Sequence, residues 1–213
     1  MSQIDLFGND NKKPDHFDVP GSVIDIANGQ YRFFNHFYAQ PESDRYFSAL
    51  REKADWKQES MNMYGKKVPF PRLTAWYGDS DRPYSFSGIT LQPLPWLPEL
   101  QEIKSHIEET ANTRFNSVLL NLYRNGNDSI SWHTDAEAEL GQNPIIGSVN
   151  FGATRTFQLR HKLTHEKIEI DLGHGTALIM QGELQHFWQH QVPKTTKPVR
   201  DRINLTFRNI INS

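Results

Sequence analysis

The sequence predicts a mainly β protein with flanking helices (α+β), arranged as one domain. From residue 117 onward, short apolar and β-branched runs recur at even intervals, with Gly residues between them. Strands this short and evenly spaced are typical of a closed or two-sheet β structure. At 213 residues, the chain has the length of a single domain with a substantial core.

The elements can be predicted in chain order. Residues 1–17 are polar and lack periodicity, so we expect a flexible tail ahead of a domain at 18–213. A turn at Asn28-Gly29 predicts a hairpin near the start of that domain. Helices are expected after Pro41 and Pro98, where apolar residues repeat every three or four positions. The later strands are predicted at residues 117–123, 145–151, 156–160, 167–171, 176–180 and 201–208.

Composition excludes several classes of protein. The chain has no cysteine, so disulfides and thiolate metal sites are excluded, and a metal would be bound by His, Asp or Glu. No apolar run approaches the roughly 18 residues of a membrane span, and the first residues lack a secretion signal. We therefore expect a cytoplasmic protein.

Charge is distributed unevenly along the chain. The net charge of −2 does not indicate a nucleic-acid binder, but residues 150–213 hold 9 Lys/Arg against 5 Asp/Glu. Phosphate contacts would therefore come from local basic clusters. The candidate clusters are Lys66 with Lys67, Arg155 with Arg160 and Lys162, and residues 194–200.

His133 and Asp135 stand two residues apart, after an apolar run that ends in a Gly turn. On extended chain, side chains at i and i+2 point the same way, so this imidazole and carboxylate can bind one ion. A second histidine would complete the 2-His-1-carboxylate triad that suits non-haem Fe(II). His190 is the candidate and His186 its rival. The His-x-Asp pattern alone is weak evidence, because it often arises by chance.

The run Arg202–Arg208 supports the metal hypothesis. Its alternation places polar residues on one face and apolar residues on the other. The planar guanidinium of arginine binds carboxylates well, and a facial-triad iron enzyme typically needs a co-substrate that carries a carboxylate. The polar face holds Arg202, Asn204, Thr206 and Arg208.

Four motifs occur in order: Asn121–Asp135 (NLYRNGNDSISWHTD), Ser148–Phe157 (SVNFGATRTF), Trp188–Pro193 (WQHQVP) and Arg202–Arg208 (RINLTFR). Together with Pro71–Gly78 and Tyr84–Gly88, they resemble the AlkB family of Fe(II)- and 2-oxoglutarate-dependent dioxygenases, which repair alkylated nucleobases. The resemblance covers about residues 60–210. It implies a double-stranded β-helix (jelly-roll) core at about 117–210, with nucleotide-recognition hairpins at about 60–90. It also favours His190, because the family places this ligand just before x-Val-Pro.

The resemblance implies a role for each candidate residue. Fe(II) would be bound by His133, Asp135 and His190, and 2-oxoglutarate by Asn121, Tyr123, Arg202, Asn204 and Arg208. A flipped base would be contacted by Phe86, Tyr84 and Glu137. The wedge and the contacts to the nucleic-acid backbone would come from Tyr64, Lys66 and Arg72. With O₂, the implied reaction demethylates 1-methyladenine and 3-methylcytosine in DNA, and it releases formaldehyde, succinate and CO₂.

Several alternatives remain open at this stage. The same chemistry could act on RNA, or the fold could serve as a non-catalytic nucleic-acid or clamp adaptor. Asn121 and Asn204 could instead be polar strand residues satisfied by neighbouring backbone. Glu137 follows Ala136, where close relatives carry a further carboxylate, and this departure leaves base selectivity open.

The predicted tail contains a short motif, Gln3-Ile-Asp-Leu-Phe7. It resembles the pentapeptide that binds the bacterial sliding clamp, in which Gln3, Leu6 and Phe7 would dock into an apolar pocket. The alternative is an apolar pair that packs against the domain. We expect a monomer in either case.

Overall fold

The computed structural model describes residues 21–63, 65–79, 84–86 and 89–211. Within these ranges the chain forms three helices and fifteen strands. The helices are α1 (Gln40–Lys53), α2 (Pro98–Ala111) and α3 (Leu184–Phe187). The strands are β1 (Val23–Ile26), β2 (Gly29–Phe34), β3 (Ser60–Met63), β4 (Lys66–Pro69), β5 (Leu73–Gly78), β6 (Tyr84–Phe86), β7 (Ile89–Leu91), β8 (Ser117–Tyr123), β9 (Ile130–His133), β10 (Ile146–Gly152), β11 (Arg155–His161), β12 (Lys167–Leu172), β13 (Thr176–Gln181), β14 (Trp188–Val192) and β15 (Arg202–Arg208).

The strands form two main antiparallel sheets. The large sheet has the order β1-β2-β13-β10-β15-β8-β5, and the small sheet has the order β12-β11-β14-β9. From β8 to β15 the chain passes repeatedly from one sheet to the other, which is the connectivity of a jelly roll. Two separate hairpins, β3–β4 and β6–β7, precede this core.

Each face of the large sheet is covered by a different apolar layer. One face packs against α1 and α2, through buried residues such as Leu50, Ile103 and Leu205. The other face packs against the small sheet, and Leu178 of β13 and Leu159 of β11 belong to the same buried cluster there. Burial of each of these side chains stabilises the fold by roughly 1.5–3 kcal/mol. The two layers hold the large sheet firmly, so side chains on its strands are well fixed.

Both predicted helices are confirmed, and their sequences explain their bounds. Each has Pro in its first turn, where the missing N–H costs nothing. The second helix ends at Ala111 and is followed by Asn112, whose φ of 49° gives the left-handed cap that asparagine tolerates. None of the helices in the described part of the chain is long and apolar enough to cross a membrane.

The predicted hairpin near residue 28 is present, with a small shift. Ile26 pairs with Gly29, so the turn residues are Ala27 and Asn28, and Asn28 has a φ of 55°. The six predicted strands agree with β8, β10–β13 and β15 to within a residue or two at each end.

The large sheet extends beyond the strands of the jelly roll. The jelly-roll connectivity runs from β8 to β15, and β1, β2 and β5 add to the same sheet. Residues 73–78, expected in the recognition part, therefore pair with β8 of the core. The predicted tail at 1–17, with its clamp motif, lies outside the described residues.

Candidate active site

A pocket lies between the two sheets. It brings together the predicted metal ligands and the polar face of β15. Its walls are formed by Arg72, Leu119, Asn121, Tyr123, Ile130, His133, Asp135, Ser148, Phe157, Met180, His190, Val192, Arg202, Asn204, Thr206 and Arg208.

The three predicted metal ligands converge at one end of this pocket. His133 is the last residue of β9, and His190 of β14 is its direct cross-strand partner. Their ring centroids lie 4.2 Å apart. The candidate ligand atoms of His133, Asp135 and His190 all lie within 4.8 Å of one another. The rival His186 is exposed on α3, away from this cluster.

Each ligand is held by a contact of its own. His133 Nδ1 lies 2.8 Å from the Ser131 carbonyl oxygen, to which it can donate, and this leaves Nε2 for a metal. Asp135 was expected on the same strand as His133, but β9 ends at His133. Its backbone N–H instead donates to Gln185 Oε1 at 2.9 Å, and its carboxylate pairs with Arg208 Nη2 at 2.9 Å.

Burial sets the protonation of this cluster. It lowers the pKa of His190 to about 3, helped by the neighbouring His133, whose own pKa is also lowered by burial. Burial alone would raise the pKa of Asp135, but Arg208 and the two imidazoles outweigh it and lower that pKa to about 2. At neutral pH the cluster therefore offers two neutral imidazoles and one carboxylate, the form that binds a divalent cation.

Arg202 lines the same pocket at the other end of β15 from Arg208, the residue that pairs with Asp135; we call this part of the pocket the anion end. It is 1% exposed, and its guanidinium carbon lies 5.0 Å from the centroid of the Tyr123 ring. Its Nη2 donates to Asn150 Oδ1 at 2.7 Å, while Nε and Nη1 have no hydrogen-bond partner among the described residues. Burial lowers the pKa of Arg202 to about 10, so it remains a cation at neutral pH. A buried cation with unused donors favours an anionic ligand.

The remaining candidates for binding 2-oxoglutarate also line the pocket, with differing contacts. Asn121 Oδ1 accepts a hydrogen bond from Arg72 Nε at 2.7 Å. Asn204 Nδ2 donates to Ser148 Oγ at 2.8 Å and to Asn150 Oδ1 at 3.0 Å, so both of its amide protons are used within the sheet. Arg208 contacts the metal end through Asp135.

Two basic residues occupy places that the sequence did not indicate. Arg72 was expected to contact the nucleic-acid backbone, but it is buried in the pocket wall beside Asn121. Arg155 was a phosphate candidate, but it is also buried, and it donates to the carbonyl oxygens of Asn125, Asp128 and Pro193. Arg72 lies just before β5 and Arg155 is the first residue of β11, and both guanidinium groups are turned away from solvent.

The predicted substrate residues are only partly described. Glu137 is half-buried just before a 3₁₀ turn, and its Oε2 has no hydrogen-bond partner in the described part of the chain. Tyr84 and Phe86 lie in β6 of the second hairpin, and Lys66 is exposed at the start of β4. Tyr64 lies outside the described residues.

Sequence reasoning missed two buried amides that contact the site. Asn150 accepts from Arg202, and Gln185 accepts from the Asp135 backbone. The alternation of β10, which turns Ser148 and Asn150 inward, could have indicated Asn150. We find no sequence signal for Gln185, because its contact depends on how the short α3 packs.

Comparisons with known proteins point to one family. A model of the 2OG-Fe(II) oxygenase superfamily matches residues 30–208. The chain is 46% identical over 179 residues to the alpha-ketoglutarate-dependent dioxygenase alkB homolog 3 of Mus musculus, which covers 79% of this chain. It spans only 62% of that relative's length. It is 34% identical over 224 residues to the DNA oxidative demethylase ALKBH2 of Bos taurus, which covers 96% of this chain and 80% of the relative.

Solved structures give the same fold. The structure of OsALKBH1 matches with a TM-score of 0.61 at 17% sequence identity. The match covers 87% of this chain and all of that chain. At this level of identity the similarity supports the jelly-roll architecture alone.

Proposed function

Because the chain belongs to the AlkB family of 2OG-Fe(II) oxygenases, we propose that it is an Fe(II)- and 2-oxoglutarate-dependent dioxygenase. Its proposed substrates are N-alkylated bases in DNA, 1-methyladenine and 3-methylcytosine, which it would restore by oxidative demethylation. One observation carries the proposal: a neutral His₂-carboxylate cluster and a buried arginine with unused donors share one pocket.

The metal end suits Fe(II) by its donor set. His133, Asp135 and His190 would hold the ion, and this N/O set is the one that non-haem Fe(II) oxygenases use. Arg208 and Gln185 fix Asp135 before any metal arrives, since both contacts are made within the protein. When bound, Fe(II) would supply the redox chemistry that couples oxidative decarboxylation of 2-oxoglutarate by O₂ to hydroxylation of the N-methyl group.

The opposite end suits the distal carboxylate of 2-oxoglutarate. Arg202 has N–H groups at Nε and Nη1 that lack partners among the residues described, and its charge is buried. A carboxylate would satisfy those donors and offset the desolvated charge. The apolar side chains of Ile130, Phe157 and Val192 line the space around both ends, and they limit access of bulk water.

The nucleic-acid substrate is inferred from the name of one relative and from the recognition hairpins. The bovine relative is named a DNA oxidative demethylase. A methyl group on the pairing edge of a base is hidden in a duplex, so the base must be flipped out or single-stranded. We propose that Phe86, Tyr84 and Glu137 hold this base, and that Tyr64 and Lys66 contact the strand around it.

We also propose one protein partner. The motif at Gln3, Leu6 and Phe7 would bind a bacterial sliding clamp and bring a cytoplasmic, monomeric repair enzyme to replicating DNA. Deletion of residues 1–8 tests this idea by surface plasmon resonance against immobilised clamp. Equal clamp affinity of the full and shortened chains would refute it.

The test of the central proposal uses matched oligomers of single- and double-stranded DNA and RNA, each with one 1-methyladenine. Purified protein is incubated with Fe(II), ascorbate and 2-oxoglutarate, and mass spectrometry follows loss of the methyl group. We expect demethylation that is fastest on DNA and absent with Asp135→Ala. Faster reaction on RNA would move the substrate to RNA. Without any 2-oxoglutarate turnover, the protein would be a non-catalytic adaptor.

A further inference from the structure

Three asparagines form one row across the large sheet, within the jelly roll. Asn150 of β10 lies directly opposite Asn204 of β15, which lies directly opposite Asn121 of β8. Asparagine is depleted in strands, and a buried amide is costly unless it is hydrogen-bonded. Asn121 and Asn204 line the pocket, whereas Asn150 is fully buried behind its wall. The burial of Asn150 therefore needs a reason other than contact with a ligand.

The contacts of Asn150 supply that reason. Its Oδ1 accepts from Arg202 Nη2 at 2.7 Å and from Asn204 Nδ2 at 3.0 Å, while its Nδ2 faces the Thr176 carbonyl oxygen at 3.4 Å. A guanidinium can only donate, so the atom that faces Arg202 must be the oxygen. The single oxygen Oδ1 of Asn150 thus accepts hydrogen bonds from two residues that line the pocket, Arg202 and Asn204.

This arrangement fixes which donors of Arg202 remain for a ligand. Asn150 occupies Nη2, and the Tyr123 ring lies 5.0 Å from the guanidinium carbon. With these two contacts, Nε and Nη1 are the nitrogens without a partner in the described ranges. An arginine held by one acceptor loses little further freedom when an anion binds, and such preorganisation raises affinity.

We propose that Asn150 is a positioning residue for the co-substrate: it orients Arg202 so that Nε and Nη1 receive the distal carboxylate of 2-oxoglutarate. The inference rests on the proposed function, because it assumes that this anion binds at Arg202. Asn150 acts through Arg202 and Asn204, and it does not itself touch the ligand. It should therefore set the affinity for 2-oxoglutarate, while metal affinity and the chemical step remain unaffected.

The test measures the Kd of 2-oxoglutarate by calorimetry on Mn(II)-loaded protein, together with KM and kcat. Asn150→Ser cannot reach Arg202, and we expect the Kd and KM to rise about 10- to 100-fold, the equivalent of one lost hydrogen bond to a charged group. We expect kcat at saturating 2-oxoglutarate and the Kd of Mn(II) to stay within about threefold. Gln158→Ser is the matched control, because this amide lies on the outer face of β11 and hydrogen-bonds Glu169.

A double-mutant cycle separates positioning from general damage. If Asn150 acts through Arg202, Asn150→Ser should have almost no further effect on the Kd in an Arg202→Met background. If the effects of Asn150→Ser and Arg202→Met on the free energy of 2-oxoglutarate binding are additive, the inference is overturned. If Asn150→Ser does not fold, Asn150→Leu keeps the volume of the side chain and removes the acceptor for Arg202. Its Kd should rise by about as much, and a Kd equal to wild type would overturn the inference.

The outcomes also distinguish this inference from the proposed function. If wild-type protein does not bind 2-oxoglutarate at all, the proposed function fails. If wild-type protein binds it and Asn150→Ser binds it equally well, only the role of Asn150 fails.

Discussion

The two ends of the pocket are built in different ways. At the metal end, the proposed ligands come from the end of a strand, the loop that follows it and a second strand of the small sheet, and Gln185 and Arg208 hold Asp135 in place. At the anion end, Arg202 lies in a central strand of the large sheet, with neighbours on both sides. The metal end offers electron pairs and the anion end offers N–H groups. A ligand with a chelating head and a distal carboxylate would satisfy both.

The largest effect should follow from removing the charge at the metal end. Asp135→Ala takes away one proposed ligand and removes the ion pair between Asp135 and Arg208. A bound metal contributes several kcal/mol to the reaction, so we expect 2-oxoglutarate turnover to fall by more than about 10³-fold. Calorimetry measures the loss of Mn(II) affinity, and a succinate assay measures the loss of turnover. Asp171→Ala, on the outer face of β12, serves as the control and should retain both.

At the anion end, Arg202→Met should change function and stability in opposite directions. Loss of the buried charge should raise the Kd of 2-oxoglutarate roughly 10²- to 10³-fold. The ligand-free protein, however, no longer buries a cation with unused donors, so its free energy of unfolding should rise by about 1–4 kcal/mol.

Calorimetry measures the Kd of 2-oxoglutarate, and thermal unfolding measures the change in stability. Arg160→Met, whose guanidinium stacks on Trp132 outside the pocket, is the matched control. A lower melting temperature for Arg202→Met would contradict the inference that the buried charge of Arg202 destabilises the ligand-free protein.

A smaller effect should follow from loosening the metal end without touching a ligand. Gln185→Leu removes the acceptor for the Asp135 backbone N–H and leaves all three ligands present. Contacts of this kind typically contribute 10- to 100-fold to metal affinity, and we expect a loss of about that size for Mn(II). Gln181→Leu, at the end of β13, is the control. Unchanged Mn(II) affinity in Gln185→Leu would mean that Arg208 alone places the carboxylate.

The two ends should also differ in their response to pH. His190 has a folded pKa of about 3 against an ordinary value of 6.5, so between these values only the unfolded chain binds its proton. The metal-free protein should therefore lose stability as pH falls below 6.5, by up to about 1.4 kcal/mol per pH unit for this group. Urea unfolding at pH 7.5 and 5 measures the slope. His190→Gln should reduce this slope, although the contribution from His133, whose pKa is also lowered, remains. Arg202→Met should leave the slope unchanged, because Arg202 does not titrate in this range.

The same contrast explains how far the sequence could predict the site. Period-two alternation within one strand identified the pocket-facing residues of β15, because all the information lies in seven consecutive residues. Asp135 does lie in the cluster with His133 and His190, but the reason given from the sequence was incomplete. It lies beyond the end of β9, and its position depends on Gln185, fifty residues away. Arg72 and Arg155 were misplaced because a basic residue is expected to be exposed, whereas Arg72, just before β5, and Arg155, at the start of β11, are both buried against polar partners within the fold.

The smallest effect should come from the recognition hairpin, which lies outside both ends of the pocket. Lys66 is exposed at the start of β4. If it contacts one phosphate, Lys66→Ala should weaken binding to all DNA sequences by a few-fold, and the slope of log K against log salt should fall by about 0.9 on duplex and about 0.7 on single strands. Fluorescence anisotropy across a salt series measures this, and kcat should not change. Lys57→Ala is the control, since Lys57 already pairs with Asp55 at 3.1 Å. An unchanged slope for Lys66→Ala would move the phosphate contacts to another surface, and it would leave the two ends of the pocket unaffected.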